Sequence, residues 1–215
     1  MHNLATQRAR ATLAKAPQSC YGGRVRLKRE KDCLVFSLNS SERLLLTHVL
    51  LEIIEKYRLK PGELDAATAS VWYSTRGCAT AGLSAEETKE WLENLHAFKG
   101  STLQRLEEWA AQLSDGRPTQ SAERGAADSA FPVPLSTLSE KSTLRIKADH
   151  APAFVTAIND YRLAAAARHN IGQPEMDAHM PWQLIKLPSN QQQAVLEIHV
   201  LAWIIEKTLR LLEGQ

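Results

Sequence analysis

Two long apolar helical patterns in the last third of this chain constrain its fold more than any other stretch of the sequence. Between Ala151 and His169, the residues Phe154, Ile158, Tyr161 and Ala165 recur at the spacing that stacks side chains on one helix face. Ala153, Ala157 and Ala164 fall on a second side, a small-residue surface that another backbone can approach, so burial on more than one side is expected. The helix opens at Asp149, His150 or Ala151, with Pro152 in the first turn, where a missing amide hydrogen costs little. Gly172, expected as a left-handed cap, and Pro174 stop it. A second pattern runs from Ser189 or Asn190 to about Leu212. Val195, Ile198, Ala202, Ile205 and Leu209 line one face, while Leu196, Val200, Trp203, Ile204 and Leu211 cover much of the rest. Such a helix belongs inside a bundle or at an oligomer interface. Glu197, His199, Glu206, Lys207 and Arg210 interrupt it, whereas a membrane span needs roughly 20 mostly apolar residues. The pair predicts an antiparallel core hairpin.

Upstream, Arg24-Val-Arg-Leu-Lys alternates basic and apolar residues with the period of a half-buried strand, Val25 and Leu27 inward and Arg24, Arg26 and Lys28 outward. A turn over Arg29 to Asp32 leads to a second strand, Cys33 to Leu38, closing a ribbon with a cationic face. Ser40 or Ser41 then caps a helix from Glu42 to Tyr57 with a strong apolar stripe. A short helix is expected over Glu63 to Tyr73 and a loop over Gly77 to Gly82. Ser84 with Glu87 forms a capping-box pattern for a helix to about Phe98. Gly100-Ser101 is expected to separate it from another helix, Thr102 to Leu113. Read as a helix-turn-helix, this pair would offer phosphates a recognition helix carrying Glu107 and Glu108, which repel them, so a bundle hairpin is the preferred reading. From Ser114 to about Lys141 all periodicity is lost among Gly, Pro and polar residues, and a mobile surface linker is expected, with Phe131 and Val133 as a docking spot. The predicted organisation is a basic arm at 1–23 and a single mainly α domain at 24–215, a helical bundle with a small N-terminal β-hairpin.

Charge is segregated rather than extreme. Residues 1–31 contain eight Lys or Arg against one acid, Glu30, on a chain whose net charge is only +2. A basic arm on a mildly acidic body is a pattern that meets phosphates or acidic partners. Three cysteines, Cys20, Cys33 and Cys78, without a Cys-x-x-Cys pair argue against a disulfide framework and a structural zinc site. The polar, basic N-terminus carries no secretory pattern, and a cytoplasmic setting is expected.

The segment from Ser142 through Ala164, with Leu144 and Ile146 as a short alternating strand and Asn159, Asp160, Arg162 and Leu163 as its strongest part, resembles the C-terminal signature of a bacterial family of small helical proteins. That family was long described only as a domain of unknown function, and its actinobacterial members include an oxidative-stress transcription regulator. Leu34-Val-Phe-Ser-Leu, Glu42 and Leu44-Leu-Leu are similar to the family's strand-then-helix opening. These pieces cover about half of the chain. The resemblance implies a helical fold and a regulatory role.

No Gly-x-Ser-x-Gly elbow, Gly-rich phosphate loop or motif-placed Cys and His is present, so a non-enzymatic module without cofactor is expected. His150, His169, His179 and His199 lack metal-ligand spacing. Arg162 and Glu206 are expected to come together across the two core helices as a partly buried ion pair, with Asp160 as a surface or capping residue, and the resemblance implies a structural role for Asn159, Asp160, Arg162 and Glu206. Cys20 and Cys78, in loops beside Arg24 and Arg76, are the redox candidates, since neighbouring cations activate thiols. The basic ribbon Arg24, Arg26, Lys28, Arg29 and Lys31 is the candidate contact for nucleic acid or an acidic protein. Self-association through the last helix around Trp203 is the alternative, and an enzyme whose site is assembled from distant residues is the third reading.

Overall fold

The computed structural model describes residues 25–114, 142–176 and 186–214. The basic arm, Cys20, Arg24, His179 and the expected linker beyond Ser114 lie outside the described residues.

Strands β1 (Arg26–Glu30) and β2 (Cys33–Leu38) form an antiparallel hairpin in which Arg26 faces Ser37 and Glu30 faces Cys33. The turn is Lys31-Asp32, and Lys31 adopts a positive φ of 52°. β1 therefore starts two residues later than the alternation suggested, but the facing is as expected, with Val25 buried and Arg26 and Lys28 exposed. A third strand, β3 (Ser142–Lys147), pairs antiparallel with the other edge of β2, placing Leu144 opposite Phe36 and Ile146 opposite Leu34. The order is β1-β2-β3. The hairpin is thus part of a sheet whose inner face, Leu34, Phe36, Leu38, Leu144 and Ile146, is buried.

Helix α1 (Ser40–Tyr57) follows directly. Its cap is Asn39, not Ser40 or Ser41. The Asn39 side chain accepts from the Glu42 amide at 2.9 Å, and Glu42 accepts from the Asn39 amide at 2.8 Å. This reciprocal pair satisfies two otherwise orphaned donors. The helix expected over Glu63 to Tyr73 is divided into a 3-10 turn, Pro61–Glu63, and α2 (Ala66–Trp72). The division has a cause: Asp65 accepts from both the amide and the hydroxyl of Thr68 and starts a new helix. In place of the expected loop, α3 (Arg76–Thr80) forms one short turn of helix.

The largest departure is α4, a single 30-residue helix from Ala85 to Ser114. Gly100-Ser101 does not break it. The hydroxyls of Ser101 and Thr102 both bond back to the Phe98 carbonyl, at 2.7 and 3.1 Å, so the local polar groups are absorbed inside the helix. Burial along α4 begins only at Lys99 and continues through Thr102, Leu106, Trp109, Ala110 and Leu113. A helix-turn-helix is excluded, because there is no turn.

Helix α5 (Ala151–Arg168) is the centre of the molecule, burying Phe154, Ala157, Ile158, Tyr161 and Ala164 to Ala166 on several sides. The Phe154 ring meets Phe36 of the sheet and Trp109 of α4, both at 5.4 Å between centroids. The positive φ after α5 belongs to Asn170, at 51°, and not to Gly172. A short turn of helix, α6 (Gln173–Met176), precedes α7 (Ser189–Leu212). Gln191 bonds to the His169 carbonyl and Glu197 accepts from Tyr161, so α7 runs back along α5 antiparallel, as the two patterns predicted. Val195, Ile198, Leu201 and Ile204 are spent on this internal contact.

Candidate functional site

Alternation along the three strands puts Arg26, Lys28, Arg145 and Lys147 on the face away from the core, all exposed. Lys28 and Arg145 stand on either side of Val35, and both reach Glu30, the face's acid, Arg145 at 2.8 Å. The Lys28 hydrogen bond, with the charges of Lys28 and Arg145, holds the Glu30 carboxyl below its usual range. Of the cations named from the sequence, Arg26 and Lys28 share this face, Arg29 has the opposite parity and Lys31 sits at the turn. Arg145 and Lys147 were not named, although the alternation of Ser142 to Lys147 signals their facing. The free edge of β3 is closed by Gln112 of α4, whose side chain accepts from the Arg145 amide at 2.9 Å and donates to its carbonyl at 3.3 Å. Among the described residues β1 is the sheet's other outer strand.

Asp160, expected at the surface or at a cap, is instead a hub. Lys99 of α4, 3% exposed, forms an ion pair with it. The Tyr57 hydroxyl donates to the same carboxylate oxygen at 2.7 Å, and the Trp72 indole donates to its backbone carbonyl at 2.7 Å. The Lys99 ammonium lies 4.9, 4.8 and 5.9 Å from the ring centroids of Tyr57, Trp72 and Tyr73. Burial, then the Asp160 charge and hydrogen bond, push the Tyr57 phenol far above its usual range, so it stays a donor. This knot ties α1, α2, α4 and α5 together. Its sequence signal is a lysine on the apolar stripe of α4, in register with Thr102, Leu106 and Trp109.

The expected Arg162–Glu206 pair does not form. Arg162 bonds to Asn159 on its own helix at 3.1 Å, and Glu206 pairs with Arg210 one turn further along α7. The antiparallel register, with Tyr161 beside Glu197 and His169 beside Gln191, puts Glu206 roughly 15 Å along α7 from the point opposite Arg162. Burial holds the Arg162 guanidinium below its ordinary range. Cys78 lies on α3 and is buried, which removes the exposure a reactive thiol needs; Cys33, in β2, is half-buried.

A second polar cluster was not foreseen. His48 and Glu52 of α1, Tyr161 and Arg168 of α5, and Gln193 and Glu197 of α7 surround a cavity of about 130 Å³. Arg168 Nη1 lies 2.5 Å from Glu52 Oε1, and His48 Nε2 lies 3.6 Å from Glu52 Oε2. Burial, with the Glu197 and Glu52 charges, pushes the Tyr161 phenol well above its usual range, and Arg168 opposes them. Among the described residues no group of three or more His, Cys, Asp or Glu is placed to hold a metal ion, and no helix is long and apolar enough to cross a membrane.

The model of the family described as Domain of unknown function (DUF2017) matches residues 23–212. The chain belongs to this family. The DUF2017 match runs through α2, α3 and α4, the middle of the chain, where no resemblance was visible residue by residue. Both the sheet face and the Lys99–Asp160 knot lie within the DUF2017 region. No curated protein and no solved structure matches the chain.

Proposed function

We propose that this DUF2017 protein is a non-enzymatic, transcription-associated regulator that meets the phosphates of a nucleic-acid duplex through the outer face of its sheet. The carrying observation is the gathering of Arg26, Lys28, Arg145 and Lys147 on one exposed surface, from strands far apart in sequence, against the single carboxylate of Glu30. Successive outward side chains on a strand stand about 7 Å apart, a spacing at which several phosphates can be met at once. The chain's resemblance to a family whose actinobacterial members include an oxidative-stress transcription regulator supports the regulatory half of this reading.

The experiment is a salt titration of duplex binding by the full chain, beside the triple charge reversal Arg26→Glu, Lys28→Glu, Lys147→Glu. Neutralising about two to four phosphates gives a slope of roughly −2 to −4 in log K against log salt. The reversal should flatten that slope and abolish binding. Duplex binding that is absent, or indifferent to both salt and reversal, rejects the phosphate version and leaves an acidic protein surface as the partner to test.

Self-association is a second reading, favoured by Leu209 of α7, which stays 42% exposed beyond the apolar residues spent internally. Light scattering over a wide concentration range decides it, since a strict monomer removes its motivation.

A further inference from the structure

The cavity between α1, α5 and α7 has a charge pattern that selects its occupant. Glu52 Oε1 lies 2.5 Å from Arg168 Nη1, so the two charges offset each other, although that oxygen receives no well-aligned hydrogen bond. Glu197 is different. The partners of its carboxylate are the Gln193 amide at 3.1 Å and the Tyr161 hydroxyl at 3.4 Å, and neither carries positive charge. Among the described residues no Lys or Arg pairs with Glu197, so the wall of this cavity holds a carboxylate that Arg168 does not offset.

Tyr161 adds the second observation. Its side chain is only 4% exposed, yet its hydroxyl is held by a single bond of 3.4 Å, far from the roughly 2.7–2.8 Å of a good O–H···O bond. A buried hydroxyl so loosely held has acceptor capacity to spare. Tyr161 and Glu197 thus present two oxygens, side by side, to a donor entering the cavity. Gln193, whose amide nitrogen donates to Glu197, lines the same cavity and holds that carboxylate in place. Ala165 and Ala194, with minimal side chains, leave the space open.

We infer that this cavity is a binding site for a small organic primary ammonium ion, its N–H groups donated to Glu197 and Tyr161. An anion is disfavoured, because two carboxylates face the cavity and the guanidinium of Arg168 is already paired. A quaternary ammonium has no N–H to give, and the described lining offers it one phenol ring, Tyr161, and two imidazoles, less than a cage of aromatics. The volume, about 130 Å³ and open to solvent, sets the size of the part held inside: an enclosed cavity of about 150 Å³ takes benzene, so the ammonium and a short alkyl stem fit here.

The test uses the full chain and propylammonium chloride, with propanol as the uncharged control of the same size and propionate as the anionic one. Saturable binding of propylammonium, followed by calorimetry and by backbone amide shifts, is expected, with neither control binding. Glu197→Gln keeps the shape and removes the charge, and it should weaken propylammonium by about tenfold or more. Equal binding of propanol, or undiminished binding by a folded Glu197→Gln, overturns the inference. So does the absence of saturation in the wild-type protein. Should Glu197→Gln fail to fold, the wild-type shift map decides: perturbations centred on Tyr161, Gln193 and Glu197 support the site, and perturbations elsewhere or none overturn it.

Discussion

Asp160→Ala should be among the most destabilising single substitutions in this protein, and the reason lies in its partner rather than in Asp160 itself. Lys99 is 3% exposed, and its ammonium is enclosed by Tyr57, Trp72 and Tyr73. Removing the carboxylate leaves a buried cation whose remaining attractions are to ring faces, up to about 2 kcal/mol each when desolvated. Stranding one partner of a buried pair costs about 3–5 kcal/mol. The Tyr57 hydroxyl also loses its acceptor. For a domain of this size, about 2–4 °C per kcal/mol translates that cost into a fall in Tm of roughly 6–20 °C. Lys99→Met is the contrasting change. It keeps the packing and leaves Asp160, whose side chain is 16% exposed, within reach of water and still bonded to Tyr57, so it should cost only about 1–3 kcal/mol. The double variant should cost clearly less than the sum of the two. Urea unfolding of all four proteins measures this cycle. Equal costs for the two single changes, or strict additivity, would refute the picture of a deep cation held by a shallower anion.

Three further outcomes follow from local geometry. Gly100→Ala, at an exposed mid-helix site where an added Cβ meets nothing within 4 Å, should stabilise the protein by about 0.5–1 kcal/mol in urea unfolding; destabilisation would mean α4 is interrupted there after all. Asn39→Ala removes the accepting half of the α1 capping box and should cost about 1 kcal/mol, read as a lowered urea midpoint. Burial raises the Asp65 carboxyl, but Lys56 and Thr68 outweigh it and hold it well below its usual value of 3.8. Its contribution is then fully present above about pH 4 and lost as pH falls through the folded value, because the unfolded chain binds the proton first. Asp65→Asn should therefore cost about 1 kcal/mol or less at pH 7, as expected of an ion pair whose carboxylate is 39% exposed, and the gap from wild type should shrink at pH 3.

The candidate surfaces were legible only where their signal is local. Arg26 and Lys28 were readable because strand alternation fixes facing within a few residues. Arg145 and Lys147 join them only through pairing across β2, between segments separated by four helices. The Arg162–Glu206 expectation failed for a related reason: helical phase says which side a residue takes but not its height along a neighbouring helix, and Asn159 and Arg210 were nearer. Glu52, Tyr161 and Glu197 each sit on or beside an apolar stripe, and no sequence pattern announces that three such stripes converge.

What the sequence determined by itself is whatever depends on neighbours along the chain: the two C-terminal helices, the first hairpin, the apolar face of α1 and the helical class of the whole. These follow from periodicity and turn chemistry, which act over one or two turns. The continuity of α4 across Gly100-Ser101 already lay beyond that range, since a weak helix former is overruled when residues on both sides are fixed by packing, here from Lys99 to Leu113. Tertiary structure alone decided that β3 would complete the sheet, that Asp160 would hold Lys99, and that α1, α5 and α7 would leave a polar cavity between them. Each of these depends on distances between chain segments, which hydrophobic burial sets collectively and which no single stretch of residues encodes.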